Sequence, residues 1–202
     1  MPKGFNEREK VLIKDALIEK GRLLFGGYGL KKTGIADLTG AVGIAQGSFY
    51  NFYESKEALY FEILELEEQA LKAALFLVLT PYENRPREYL KMLLRSALEM
   101  LENYPLMTQL YLEDSMRILV RKLPAEKLEK HFNKDHADLL PFIEKWQAQG
   151  ILRKEKPEAI TGLLRSLILL SLHKKTIGEA VYEDTITLFI DLISEGLVLK
   201  ED

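Results

Sequence analysis

The sequence predicts an all-α protein of about nine helices, with an N-terminal three-helix helix-turn-helix domain and a larger helical body. Three observations carry that expectation. Apolar residues recur at three- and four-residue spacing along most of the 202-residue chain. No stretch of convincing length alternates as a strand does, and there is no internal repeat or low-complexity segment. Finally, residues 33–53 read as two short helices joined by a glycine turn, the outline of a motif that lays its second helix in the DNA major groove.

Taken in order, Lys3 lies in a short arm, and the first helix runs from about Glu7 to Phe25, with Ile13, Ala16, Leu17 and Leu24 on one face. Gly26, Gly27 and Gly29 end it. No strand precedes this cluster and no GxxxxGK[ST] follows, which argues against a nucleotide loop. Thr33 and Gly34 cap the second helix, whose apolar positions are Ile35, Leu38 and Val42. Gly43 makes the turn, Ile44 plugs it from below, and Gln46 to Tyr53 forms the third helix. Ser55 caps a fourth helix to about Leu79, long enough at about 1.5 Å per residue to act as a lever between reader and body. The domains predicted are therefore a helix-turn-helix reader over 1–54 and a helical body over 55–202, to which the family resemblance given below adds ligand sensing and dimerisation. Further helices are expected over Arg87–Asn103, Pro105–Leu119, Pro124–Gln149 with a kink at Pro141, Pro157–Lys175 and Tyr182–Leu199.

Composition excludes several functions. With no cysteine there is neither a disulfide framework nor thiolate chemistry. The N-terminus lacks a secretory pattern, and the longest apolar run, Ile160–Leu172, is short and interrupted by Arg165, so no membrane span and a cytoplasmic location are expected. Residues 1–57 carry nine Lys/Arg against seven Asp/Glu, whereas the remainder carries nineteen against twenty-four. The positive part is the part expected to meet phosphate. His131, His136 and His173 lack metal-ligand spacing, the Glu113–Asp114 neighbours point apart on a helix, and no GxSxG is present. Neither catalysis, nor a metal, nor a cofactor is expected.

The reader stretch resembles the DNA-binding domain of the TetR (tetracycline repressor-like) regulators. The resemblance rests on Phe25 and Gly29, on Thr33, Ile35, Asp37 and Leu38, and on Gly43-Ile44-Ala45 at the turn. Gly47-Ser48-Phe49-Tyr50 and Ser55-Lys56-Glu57-Ala58-Leu59 continue it in register. The chain departs from the family pattern at Phe52-Tyr53, Gly34 and Ala45. The resemblance implies that Tyr50 and Lys56 meet phosphate. Gln46, Ser48 and Asn51 have the chemistry to read base edges, and Thr33 and Gly47 complete the expected DNA-binding set. It also implies an inducer pocket among the middle helices, where Met92, Met100, Tyr104, Met107, Tyr111, Phe132, Phe142 and Trp146 are candidates. A Met/aromatic stripe is equally the signature of ordinary core.

The last two helices carry more apolar surface than one face needs, with Leu163, Leu164, Leu167 and Ile168 followed by Ile186, Phe189, Ile190, Leu192 and Ile193. A homodimer through these helices is expected, and with it a palindromic double-stranded operator. The expectation from sequence is a homodimeric transcriptional repressor released from DNA by a small hydrophobic ligand. The alternative is a DNA-binding regulator without a ligand, constitutive or controlled by a protein partner.

Overall fold

The first helix, α1 (Glu7–Lys32), starts at a reciprocal cap. Asn6 Oδ1 accepts the Glu9 amide at 2.9 Å, and the Glu9 carboxylate accepts the Asn6 amide at 2.8 Å. The structure, a computed structural model, describes residues 5–78, 85–112 and 115–199, without the side chains of 76–78, 111–112 and 132–138. It is helical throughout, and among the described residues the only extended pairing is an isolated antiparallel bridge between Leu152 and Val198.

The expected end of α1 at Phe25 is corrected: the helix passes through Gly26 and Gly27 and breaks at Gly29, whose φ of 78° and ψ of 163° suit glycine alone. Gly26 serves packing instead, since a β-carbon there would meet Pro105 Cγ at 3.1 Å. α2 (Ile35–Val42) ends at Gly43, with φ 80° and ψ 30°. The amides of Gly43 and Ile44 both donate to Thr39 O, at 2.9 and 3.0 Å, and this closes the turn. The next element is a short 3₁₀ helix, Gln46–Asn51, tighter and shorter than the expected helix to Tyr53. α3 (Lys56–Val78) follows, with Ser55 Oγ accepting the Ala58 amide at 3.1 Å.

Two compact units organise the chain. The first comprises Met1–Ala70 and Tyr104–Pro124, the second Leu71–Asn103 and Ala125–Asp202. Neither unit is continuous in sequence. α5 (Pro105–Leu112) and α6 (Ser115–Lys122) belong to the first unit, where both pack on α1. In this unit Leu17, Phe25, Leu38, Phe49, Tyr60 and Leu106 are fully buried, at about 1.5–3 kcal/mol for each large side chain. Phe25 meets Tyr60 edge-on at 5.2 Å, and the Tyr60 hydroxyl donates to Leu106 O at 3.1 Å.

The second unit is built on α4 (Pro86–Leu101), α7 (Ala125–Ala148), α8 (Pro157–Ser171), α9 (Lys174–Ile177) and α10 (Tyr182–Leu197). The expected single helix from Pro157 to Lys175 is therefore divided at Leu172–His173. Leu90, Leu94, Ile143, Ile160, Leu167 and Ile190 form its core. Lys91 Nζ meets Asp191 Oδ1 at 2.8 Å and links α4 to α10. The Leu152–Val198 bridge, with Leu199 N donating to Ile151 O at 2.8 Å, holds the chain just beyond α10.

Candidate nucleic-acid interface

Phe49 anchors the 3₁₀ helix. Its ring is completely buried, packed against Tyr53 at 5.9 Å and against Tyr50 at 5.8 Å. With that side fixed in the core, the opposite side is solvent-facing. Gln46, Gly47, Tyr50 and Asn51 are all exposed, Tyr50 to 60%, while Ser48 is half-buried. A short turn thus presents an amide, a phenol and a second amide together. Gln and Asn side chains can each pair bidentately with adenine, and a tyrosine hydroxyl donates to a phosphate oxygen.

Beside Tyr50 lies an open depression of about 360 Å³, lined by Gly34 and Ile35 at the start of α2, Gln46 and Tyr50, and residues 54–57 at the start of α3. Two helix N-termini therefore face one concavity, and their free amides favour an anion. The Asp37 carboxylate already holds the Gly34 amide at 2.8 Å. Glu54 and Glu57 also line the depression, so it is not a uniformly positive surface.

Two residues of the expected set have their side chains committed to the fold. Thr33 is 2% exposed, and its hydroxyl donates to Gly29 O at 2.9 Å and Leu24 O at 3.3 Å. Its task in the folded chain is to close the end of α1. Lys56 turns towards the same corner: Nζ donates to Leu30 O at 2.7 Å, Thr33 O at 2.7 Å and Lys31 O at 3.3 Å. Sequence reading did not find these bonds, because the three acceptors lie more than twenty residues away and are backbone atoms. The Asn6–Glu9 cap, by contrast, was legible as N-x-x-E and was missed.

The departure at Phe52-Tyr53 falls on the inner side of the reader. Tyr53 is buried, and burial together with the negative charge of Glu62 raises its pKa above the ordinary phenol value. Lys14 Nζ meets Glu62 Oε1 at 2.9 Å and lies 5.8 Å from the Tyr53 ring centre, so α1, α3 and the end of the 3₁₀ helix are braced together. Phe52 is half-buried against Phe5, with ring centres 6.0 Å apart.

The middle-helix candidates are divided between the units. Tyr104 and Met107 are half-buried in the first. In the second, Trp146 sits in the core with Phe142 at 4.6 Å and Tyr89 at 5.6 Å, Met100 is half-buried, and Met92 is exposed. The side chains of Tyr111 and Phe132 lie outside the described residues, as do Lys3, His136, Glu113 and Asp114. Among the described residues no three metal-ligating side chains cluster, and no helix is long and apolar enough to cross a membrane.

Comparison with known proteins agrees with this geometry. The sequence profile of bacterial regulatory proteins of the tetR family matches residues 17–63. The HTH-type transcriptional repressor DhaR of Mycobacterium sp. (strain GP1) is 38% identical over 53 residues, a match spanning 26% of this chain and 27% of that relative. A TetR-family transcriptional regulator from Pectobacterium atrosepticum superimposes with a TM-score of 0.71 at 18% identity, over 98% of this chain and 100% of that one. RolR, solved with its ligand resorcinol, does so with a TM-score of 0.61 at 18% identity, over 96% and 92%. At these identities the structural likeness is one of fold. The fold and the exposed turn define an all-helical protein with a helix-turn-helix at its N-terminus. Its N-terminal domain, over residues 17–63, is that of the bacterial regulatory proteins of the tetR family.

Proposed function

We propose that the protein is a cytoplasmic, homodimeric transcriptional repressor that binds a palindromic operator and is released from it by a small hydrophobic ligand. The observation that carries DNA binding is the joint exposure of Gln46, Gly47, Tyr50 and Asn51 on one turn anchored from below by Phe49. In this reading Tyr50 donates to a backbone phosphate beside the α2 and α3 N-termini, and Gln46 and Asn51 meet base edges, with Ser48 beside them. The role is binding, with no catalytic step.

Dimerisation is supported by a stripe on and beside α10. Leu188 and Leu192, four residues apart, share one side of α10 and are each more than half exposed, as are Val181 and Leu199 just outside its two ends. Leu163 of α8 is exposed as well. A second copy covering this stripe by two-fold symmetry would present two readers to two half-sites about one helical turn apart.

Release by a ligand requires only that the ligand favour one of two states of the protein. The tetR-family match over residues 17–63, the shared fold and the ligand named for RolR support this part of the reading. The packing of Trp146, Phe142 and Tyr89 into core supports the alternative, a regulator without a small-molecule ligand.

The test is a binding selection from genomic fragments with the purified protein at near-physiological salt. An enriched palindrome is the expected outcome, and absence of any enriched sequence would overturn operator recognition by the protein acting alone. A dimer mass at micromolar concentration is expected in the same preparation. Mass spectrometry of co-purified small molecules, followed by operator titration with each, then separates the liganded from the ligand-free regulator.

A further inference from the structure

Lysine at the first position of a helix is misplaced with respect to its own helix, because the N-terminal pole is already positive. Lys56 occupies that position in α3, with its ammonium turned away to the end of α1. There the situation is reversed. The break at Gly29 leaves the last carbonyls of α1 without helical partners, and a cation at that end is favourable. The ammonium has three N–H donors, and Leu30 O, Lys31 O and Thr33 O are three acceptors within 3.3 Å.

The third acceptor has a further consequence. Thr33 O belongs to the residue immediately before Gly34, whose amide is held by Asp37 at the start of α2. One side chain thus joins the start of α3, the end of α1 and the entry to α2, and both helix starts line the depression beside Tyr50. A phosphate contact from the same ammonium would have to draw donors from carbonyls that this side chain otherwise pairs.

We propose that Lys56 serves operator binding as a positioning residue: it ties the α1–α2 corner to α3 and so holds two helix N-termini around the phosphate position, without itself being the phosphate ligand. This rests on the regulator reading above and concerns the same surface. The phosphate would be held by the amides at the starts of α2 and α3 and by the Tyr50 hydroxyl.

The experiment compares wild type with Lys56→Met, which keeps most of the side chain's length and removes its donors and charge. Operator affinity is measured across a salt series, at a temperature where both proteins are folded, alongside amide hydrogen exchange of residues 33–37. The expected result is binding weaker by about tenfold at every salt concentration, a salt slope parallel to wild type, and faster exchange at the start of α2. A slope smaller by about one counterion with unchanged exchange would overturn the proposal and make Lys56 a phosphate ligand. Wild-type affinity in the variant would overturn it as well.

A second measurement needs no variant. In ¹⁵N NMR of wild-type protein, the Lys56 ammonium protons should be protected from exchange without DNA and keep their shifts when operator is added. A scalar coupling from Lys56 Nζ to a DNA phosphorus would refute the proposal even if the variant fails to fold, and so would rapid exchange of these protons in free protein. Failure of wild type to bind any DNA would overturn the regulator reading instead, and the free-protein exchange measurement would still decide whether the tie exists.

Discussion

Gly43 and Glu67 show how single residues set the limits of this reader. Gly43 adopts φ 80°, and space around its α-carbon is open, so Gly43→Ala would cost backbone strain alone, about 1 kcal/mol. Urea denaturation is expected to show that loss as a lower midpoint at unchanged slope. Glu67 is the opposite case, a carboxylate 2% exposed, with neither oxygen in good hydrogen-bond geometry and Arg22 Nε at 3.6 Å. Burial raises its pKa above the ordinary 4.5, against the opposing pull of Arg22 and of the Leu106 and Met107 amides. A raised folded-state pKa means stability that is fully present below the unfolded value and lost as pH rises through the folded one. Glu67→Gln should therefore match wild type in acid and become the more stable protein as pH rises above 4.5 and through that raised value. Melting temperatures across that range check the sign, and equal pH dependence in the two proteins would contradict it. At the interface itself, Asn51→Ala should cost about 1–3 kcal/mol against the preferred base at one operator position and little against other sequences there. Competition binding with single-base operator variants reads this directly.

Elements were legible where periodicity, caps and turn residues agree. α2, the Gly43 turn and the start of α3 follow from Ile35-Leu38-Val42, a left-handed glycine and a serine cap, all local signals. The 3₁₀ character of Gln46–Asn51 was not legible. Six residues with one buried anchor, Phe49, carry too little local signal to distinguish a 3₁₀ turn from an α-helical one. Likewise, nothing local announces the end of the expected Pro157–Lys175 helix at Leu172–His173. α10 carries the sharpest prediction at this scale. Leu188 and Leu192 are 58% and 57% exposed, so replacing both with Glu should leave the subunit fold intact. The doubly substituted protein is expected to sediment as a monomer and to bind the full operator at least about 100-fold more weakly, as two linked readers become one. A dimeric mass for that variant would remove α10 from the interface.

At the scale of the whole molecule, the sequence conveyed the all-helical class, but not that Tyr104–Pro124 packs with the N-terminal segment. The first compact unit runs to Ala70 and takes in Tyr104–Pro124. The reason is physical: α1 needs a second neighbour, and α5 supplies it through Pro105 against Gly26, the Tyr60–Leu106 hydrogen bond, and Gln109 Nε2 donating to Gly26 O at 2.7 Å. A fragment ending at residue 70 lacks buried Leu106, Leu110 and Leu119, each worth about 1.5–3 kcal/mol, and should melt well below the full protein by circular dichroism. The same arrangement bears on how such chains exchange specificities. A crossover at residue 55 would pair one parent's α1 with the other parent's α5, joining two surfaces that had no common history. Hybrids that carry residues 1–70 and 104–124 from the same parent should survive recombination more often than hybrids made at any single junction.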